Sequence, residues 1–176
     1  MTTWLSAAAP SSLNADGGWS TYTIRQIIDV SKISNAGLAY VRVTFRSGSA
    51  GGAVVGSAYI GQKADSGEAY SFQSTPTELK FSGGSGFSIG ANTSIVSDTT
   101  VFTIPTGKSL VIAYYVSSGY IRQKSSETGW QVYYAAVNNP STVTVSGYNN
   151  LGVYATGVLL VESGYDDDAS GLIVWY

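Results

Sequence analysis

The sequence predicts an all-β protein, an antiparallel β-sandwich or jelly roll of about ten strands, on three observations. Apolar and polar residues alternate at period two from end to end, and helical spacing is hard to find anywhere. Clusters of Gly, Ser and Asn punctuate the chain at short intervals. Finally, 44% of the 176 residues are hydrophobic, enough to fill one core, yet no segment reads as the helical crossover that a parallel sheet requires.

The elements follow in chain order. Residues 1–20 contain Ala7-Ala8-Ala9-Pro10-Ser11-Ser12 and little periodicity. They read as an N-terminal arm, lying along its own sandwich or along a neighbour, with Trp4 and Trp19 as anchors. Residues 21–176 form a single β-sandwich domain, which Thr21–Val30 opens. After the turn Ser34-Asn35-Ala36-Gly37 comes Leu38–Arg46, in which Val41, Val43 and Phe45 face one way and Arg42, Thr44 and Arg46 the other, as in a half-buried strand. The Ser47–Gly52 turn leads to Ala53–Gly61, and Thr77–Phe81 stops at Ser82-Gly83-Gly84-Ser85-Gly86. Ser94–Ile104 ends at Pro105-Thr106-Gly107. Ser109–Ser117 is apolar on both faces, the pattern of a central strand covered on each side. Gly129–Val137 stops at Asn138-Asn139-Pro140, and Ser141–Ser146, Val153–Glu162 and Gly171–Tyr176 complete the set. The expected core is Val41, Val43, Phe45, Leu110, Ile112, Val143, Val145 and Leu159.

Composition narrows the function. The chain has no histidine and no cysteine, so it lacks the base of a Ser-His-Asp triad, a thiolate nucleophile and the ligands of most zinc, copper and haem sites. Neither an enzymatic activity nor a cofactor is expected. Charged residues make up 11% and the net charge is −2, against roughly 25% charged residues in an average soluble protein. Such a surface draws in neither nucleic acid nor an anionic membrane. No segment reaches the roughly 18 apolar residues of a membrane span, and Met1–Ala9 lacks the basic region and apolar length of a signal peptide.

Acidic groups offer little more. Asp166-Asp167-Asp168 supplies oxygen ligands, but the spacing fits no EF-hand loop and adjacent carboxylates seldom converge, so a solvated loop and no metal site are expected. Asp98, Glu127 and Glu162 are isolated in sequence, whereas a carboxylate glycosidase needs a pair roughly 5 to 9.5 Å apart.

The best candidate surface is Tyr120–Gln131, read as a long polar loop ending in a tryptophan. A sugar ring stacks its C–H face on an aromatic plane while its hydroxyls bond to Arg, Gln and Glu. This selects Tyr120, Arg122, Gln123, Glu127, Trp130 and Gln131 as ligand-binding candidates. The competing reading is that Trp130 and Tyr134 fill the core and the loop is merely solvated, since aromatics are ordinary strand residues.

With the strands laid out, Thr23-Ile24-Arg25-Gln26-Ile27-Ile28, Tyr40-Val41-Arg42-Val43-Thr44-Phe45 and Ser57-Ala58-Tyr59-Ile60 are followed by Leu79-Lys80-Phe81-Ser82-Gly83-Gly84, Ile95-Val96-Ser97-Asp98, Ile104-Pro105-Thr106-Gly107 and Trp130-Gln131-Val132-Tyr133-Tyr134. This order, over residues 21–165, resembles the β-sandwich that precedes the catalytic domain of secreted SGNH (GDSL-type) esterases. Gly171–Tyr176 resembles that family's strand into Gly-Asp-Ser, but the nucleophile, oxyanion-hole and Asp-x-x-His blocks are missing, so no esterase activity carries over. The resemblance implies a carbohydrate-associated jelly-roll module.

Together these readings lead us to expect a non-enzymatic binding and structural protein on a virion surface, of a bacteriophage or phage-like particle. A head fibre, spike or tail attachment module made without a signal peptide fits the profile. Expected partners are surface glycans or polysaccharides, other virion proteins and further copies of the chain, as in a trimer. The alternative is an accessory carbohydrate-binding domain of a larger SGNH-type hydrolase.

Overall fold

The computed structural model describes residues 1–167 of the chain, so the strand expected over Gly171–Tyr176 and the carboxylate of Asp168 lie outside the described residues. Two antiparallel sheets pack as a sandwich. The strands are β1 (Thr2–Ala8), β2 (Ala15–Gly18), β3 (Tyr22–Ile28), β4 (Tyr40–Arg46), β5 (Ala53–Gln62), β6 (Thr77–Leu79), β7 (Phe87–Ile89), β8 (Ser94–Val96), β9 (Thr100–Val101), β10 (Leu110–Ser125), β11 (Trp130–Ala135), β12 (Asn149–Gly152), β13 (Tyr154–Thr156) and β14 (Val158–Asp166). Among the described residues the one complete helical element is the 3-10 turn Val30–Lys32, where Asp29 accepts from the Ser31 N–H and Ser109 Oγ from the Val30 N–H.

The smaller sheet runs β1-β14-β4-β8, with β9 also on β4; the larger runs β12-β11-β3-β10-β5-β6, with β7 on β5 and with β2 and β13 on β10. The count exceeds ten because Ser94–Ile104 and Val153–Glu162 each break in two, the arm contributes β1 and β2, and β7 and β12 form where no strand was expected. The arm lies along its own sandwich, Thr2 opposite Asp166 and Tyr120 opposite Gly18. Ser141–Ser146, expected as a strand, is irregular. Its backbone bonds are taken by another loop: the Phe72 N–H donates to the Val143 carbonyl (2.9 Å) and the Val145 N–H to Ser71 Oγ (3.2 Å).

Alternation decides what each face buries. Ile24, Ile28, Val41, Val43, Phe45, Leu110, Ile112 and Tyr114 meet between the sheets, all fully buried. Leu159 and Val143 were expected there too, but Leu159 is only half-buried. Val143 lies against a second apolar cluster on the outer face of the larger sheet, where Tyr70, Phe72, Val145 and Tyr148 cover Ile27, Val111 and Ala113. That second layer explains why Leu110–Val116 is apolar on both faces. It also takes in Arg25, whose guanidinium donates to the carbonyls of Tyr70 (2.9 Å), Thr142 (2.6 Å) and Asn139 (3.3 Å), with its carbon 4.8 Å from the Phe72 ring centroid.

β10 bends at its middle. Pairing with β5 slips between Tyr115 and Ser118, and Gly119 follows at φ +103°. Beyond the bend Ile121 enters the core, and the turn after Ser125 brings Trp130 opposite Ile28, which itself lies opposite Leu110. The chain has therefore returned to the end of the sandwich where β10 began, and Tyr120 stands at the far end.

Candidate functional site

Tyr120–Ser125 is strand rather than loop, because β2 and β13 supply its hydrogen-bond partners. Only the tight turn 126–129, with Ser126 at φ +58° and Gly129 at +82°, separates it from β11. This arrangement disperses the six candidate residues.

Tyr120 is 43% exposed at the bend of β10. Its ring lies on glycine backbone: a Cβ added at Gly51 would sit 2.9 Å from its Cδ2, and one at Gly48 would sit 2.6 Å from its Cβ. Main-chain bonds fix it from both sides, the Tyr120 N–H to the Gly52 carbonyl (2.9 Å) and the Gly48 N–H to the Tyr120 carbonyl (2.8 Å). Beside it, Arg122 Nη1 donates to Asp16 Oδ1 (2.6 Å) and Ser49 Oγ (3.0 Å). Asp16 also accepts from the backbone N–H groups of Ser49 (3.0 Å) and Ala50 (2.6 Å). The Ser49 N–H foremost, then Arg122, holds the Asp16 carboxyl well below the usual carboxylate range. Arg122 thus clamps the 47–52 turn under the ring.

The other candidates serve elsewhere. Gln123 Oε1 accepts from the Trp19 indole (3.2 Å), at the edge of an aromatic group with Tyr22 and Tyr134. Glu127 accepts from the Ser11 N–H (2.9 Å) and pairs with Lys124 (3.2 Å), so it ties the arm down. Trp130 is 1% exposed and packs between the sheets. It corrects the expectation of a surface stacking platform, because its place in β11 puts it on the same face as Val132. Gln131, on the opposite face, lines a cleft.

That cleft, about 270 Å³, opens on the outer face of the larger sheet between Ile27, Asp29, Lys63, Ser109, Gln131 and Val153. Of its lining the sequence pointed to Trp130 and Gln131. Asp29, Lys63 and Ser109 come from three separate connections, and local patterning carries no sign that they converge. Ser31 holds the Asp29 carboxyl below its ordinary value, chiefly by its hydroxyl.

The isolated carboxylates remain in separate networks. Asp98 accepts from the N–H groups of Ser82 (2.9 Å) and Gly83 (2.7 Å), and Glu162 takes a two-point bond from Arg42, the shorter 2.6 Å. Asp166 and Asp167, expected in a solvated loop, instead seal the seam with β1: Asp166 accepts from Thr2 (2.7 Å) and Tyr40 (2.8 Å), and Asp167 from Thr3 (2.6 Å). Among the described residues no three metal-ligating side chains converge. The chain matches no protein-family model and no curated protein.

Proposed function

We propose that this is a non-enzymatic binding and structural protein of a virion surface, a head fibre, spike or tail attachment module of a bacteriophage or phage-like particle that contacts host glycans through its Tyr120 end. The observation that carries the reading is the Tyr120 side chain, 43% exposed yet held between Gly51 at one ring edge and Gly18 at the other, with Gly48 against its Cβ. An aromatic plane fixed in advance loses little freedom when a sugar stacks on it. The hydroxyl of exposed Ser49 and the edge of Arg122 stand next to it as hydrogen-bonding groups. The near-neutral surface leaves recognition to stacking and hydrogen bonds rather than to charge.

One platform with a few wet hydrogen bonds binds weakly, with a Kd near millimolar, about −4 kcal/mol. Many copies on one particle convert that contact into avidity. A glycan array probed with the purified chain, with its elution volume measured in parallel, is expected to show binding that Tyr120→Ala lowers at least tenfold while leaving the fold intact. No glycan bound by the parent, or a Tyr120→Ala protein that binds like the parent, overturns the reading.

The second reading, an accessory carbohydrate-binding domain of a larger SGNH-type hydrolase, is favoured by the apolar run Gly171–Tyr176. Coding sequence that continues past Tyr176 into Gly-Asp-Ser would establish it in place of the first.

A further inference from the structure

We infer that a second binding site, for an extended neutral oligosaccharide, crosses the opposite end of the sandwich. The cleft at Asp29 and Gln131 does not stand alone. A second depression of about 220 Å³ lies between Val30, Asp65 and Lys108, and Lys63 and Ser109 line both. A third, about 200 Å³, lies between Glu68, Gln73, Phe72 and Thr144 and shares Ala64 with the second. The shared residues set the three depressions side by side as a track around the loop that joins β5 to β6. Each depression is smaller than the roughly 300 Å³ at which pockets for drug-sized molecules begin. A single depression therefore takes a ring-sized unit, and the whole track fits a chain of them.

The chemistry of the walls selects the chain. Two lysines and three carboxylates line the track, and the Lys32 stem lies over Gly129 at its edge. Lys108 is already paired with Asp65 (2.9 Å). Charges balance, so no field gathers a polyanion. Beside these polar groups stand the exposed apolar side chains of Val30 and Val153, the mixture that hydroxyls and C–H faces of a neutral sugar chain require. The wall is also preformed. The Ala64 N–H donates to the Ser71 carbonyl (2.9 Å), the Gln73 N–H to the Gln62 carbonyl (2.9 Å), and Arg25 fixes the loop through Tyr70. The site goes beyond the Tyr120 reading, and neither depends on the other: the straight half of β10, Leu110–Val116, separates them by about 20 Å.

The test is to titrate the isotope-labelled protein with neutral hexasaccharides built from glucose, mannose, galactose and N-acetylglucosamine, with their monosaccharides, and with a hexa-uronate. At least one neutral hexamer is expected to shift the amides of Lys63, Ser109 and Thr144 together and to bind at least tenfold tighter than its monomer. Lys63→Ala should weaken it about tenfold with the fold intact, and Tyr120→Ala should leave it unchanged. The inference is overturned if no neutral hexamer moves these amides, if hexamer and monomer bind equally, or if the hexa-uronate binds tightest. Loss of binding at the Tyr120 end alone would sink the proposed function and leave the track standing.

Discussion

Arg25 carries its charge into the interior of the outer layer, where three carbonyl groups rather than a carboxylate receive it. Burial pulls its pKa down, and the neighbouring Tyr148 acts in the opposite direction. The side chain joins the loops 63–76 and 136–148 to the sheet, so its removal strands three acceptors at once. Hydrogen bonds to charged groups contribute about 1.5 to 3 kcal/mol each, partly offset here by relief of the desolvated charge. Arg25→Met is therefore expected to lose about 2 to 4 kcal/mol, read as a lower urea midpoint with faster hydrogen exchange at Phe72 and Val145. An unmoved midpoint would show that the loops hold without it. Its burial was illegible in the sequence because Arg25 and Gln26 are adjacent polar residues and face opposite ways. Gln26 enters the main core, where it accepts from the Thr156 N–H (2.7 Å), and only a sheet covered on both sides hides both. Trp130 was ambiguous for a related reason: an aromatic in a strand has the same spacing whether it packs inward or stacks a ligand.

At the scale of elements, the bend in β10 decides what the candidate site became. Period-two patterning identified its straight half, since Leu110, Ile112, Tyr114 and Val116 alternate with the residues under the outer layer. Beyond Gly119 the polar sequence looks like a loop, because its partners β2 and β13 are short, glycine-bearing or distant, and none announces itself. The bend itself depends on Gly119. At φ +103° a Cβ there would lie 2.1 Å from the Gly52 carbonyl oxygen. Gly119→Ala is expected to cost at least about 2 kcal/mol, whereas Gly107→Ala, at φ +73° with open space around it, should cost only the left-handed backbone term of about 1 to 2 kcal/mol. Comparing the two urea midpoints isolates the close approach. Equal losses would mean that β5 moves aside freely.

Across the whole molecule, carboxylates join segments that patterning leaves unrelated. Ser49 and Arg122 lower the pKa of Asp16, Lys80 that of Glu78, and Thr2 and Tyr40 that of Asp166. At Glu127 burial acts to raise the pKa, but the bonds from Ser11 and Lys124 prevail and it too falls. A carboxyl with a folded-state pKa below its unfolded value binds protons first in the unfolded chain, so stability is full above the ordinary carboxylate range of about 3.9 to 4.3 and is lost as pH falls through the lowered values. The melting temperature is expected to hold steady from pH 7 to about 5 and to drop steeply below 4. Asp16→Asn should melt lower at pH 7 and show a shallower acid limb. A limb as steep as the parent's would remove Asp16 from this account.

The seam between β1 and β14 joins Thr2 to Asp166 across 164 positions of sequence. Translated into time, β1 leaves the ribosome long before the strand it pairs with. At about 5 to 20 residues per second, synthesis leaves β1 without its partner for roughly 8 to 30 seconds, with Ala7 and Ala8 still outside the core they later enter. The seam closes only after translation of β14, so until then the edge of β1 that β14 later pairs stays open.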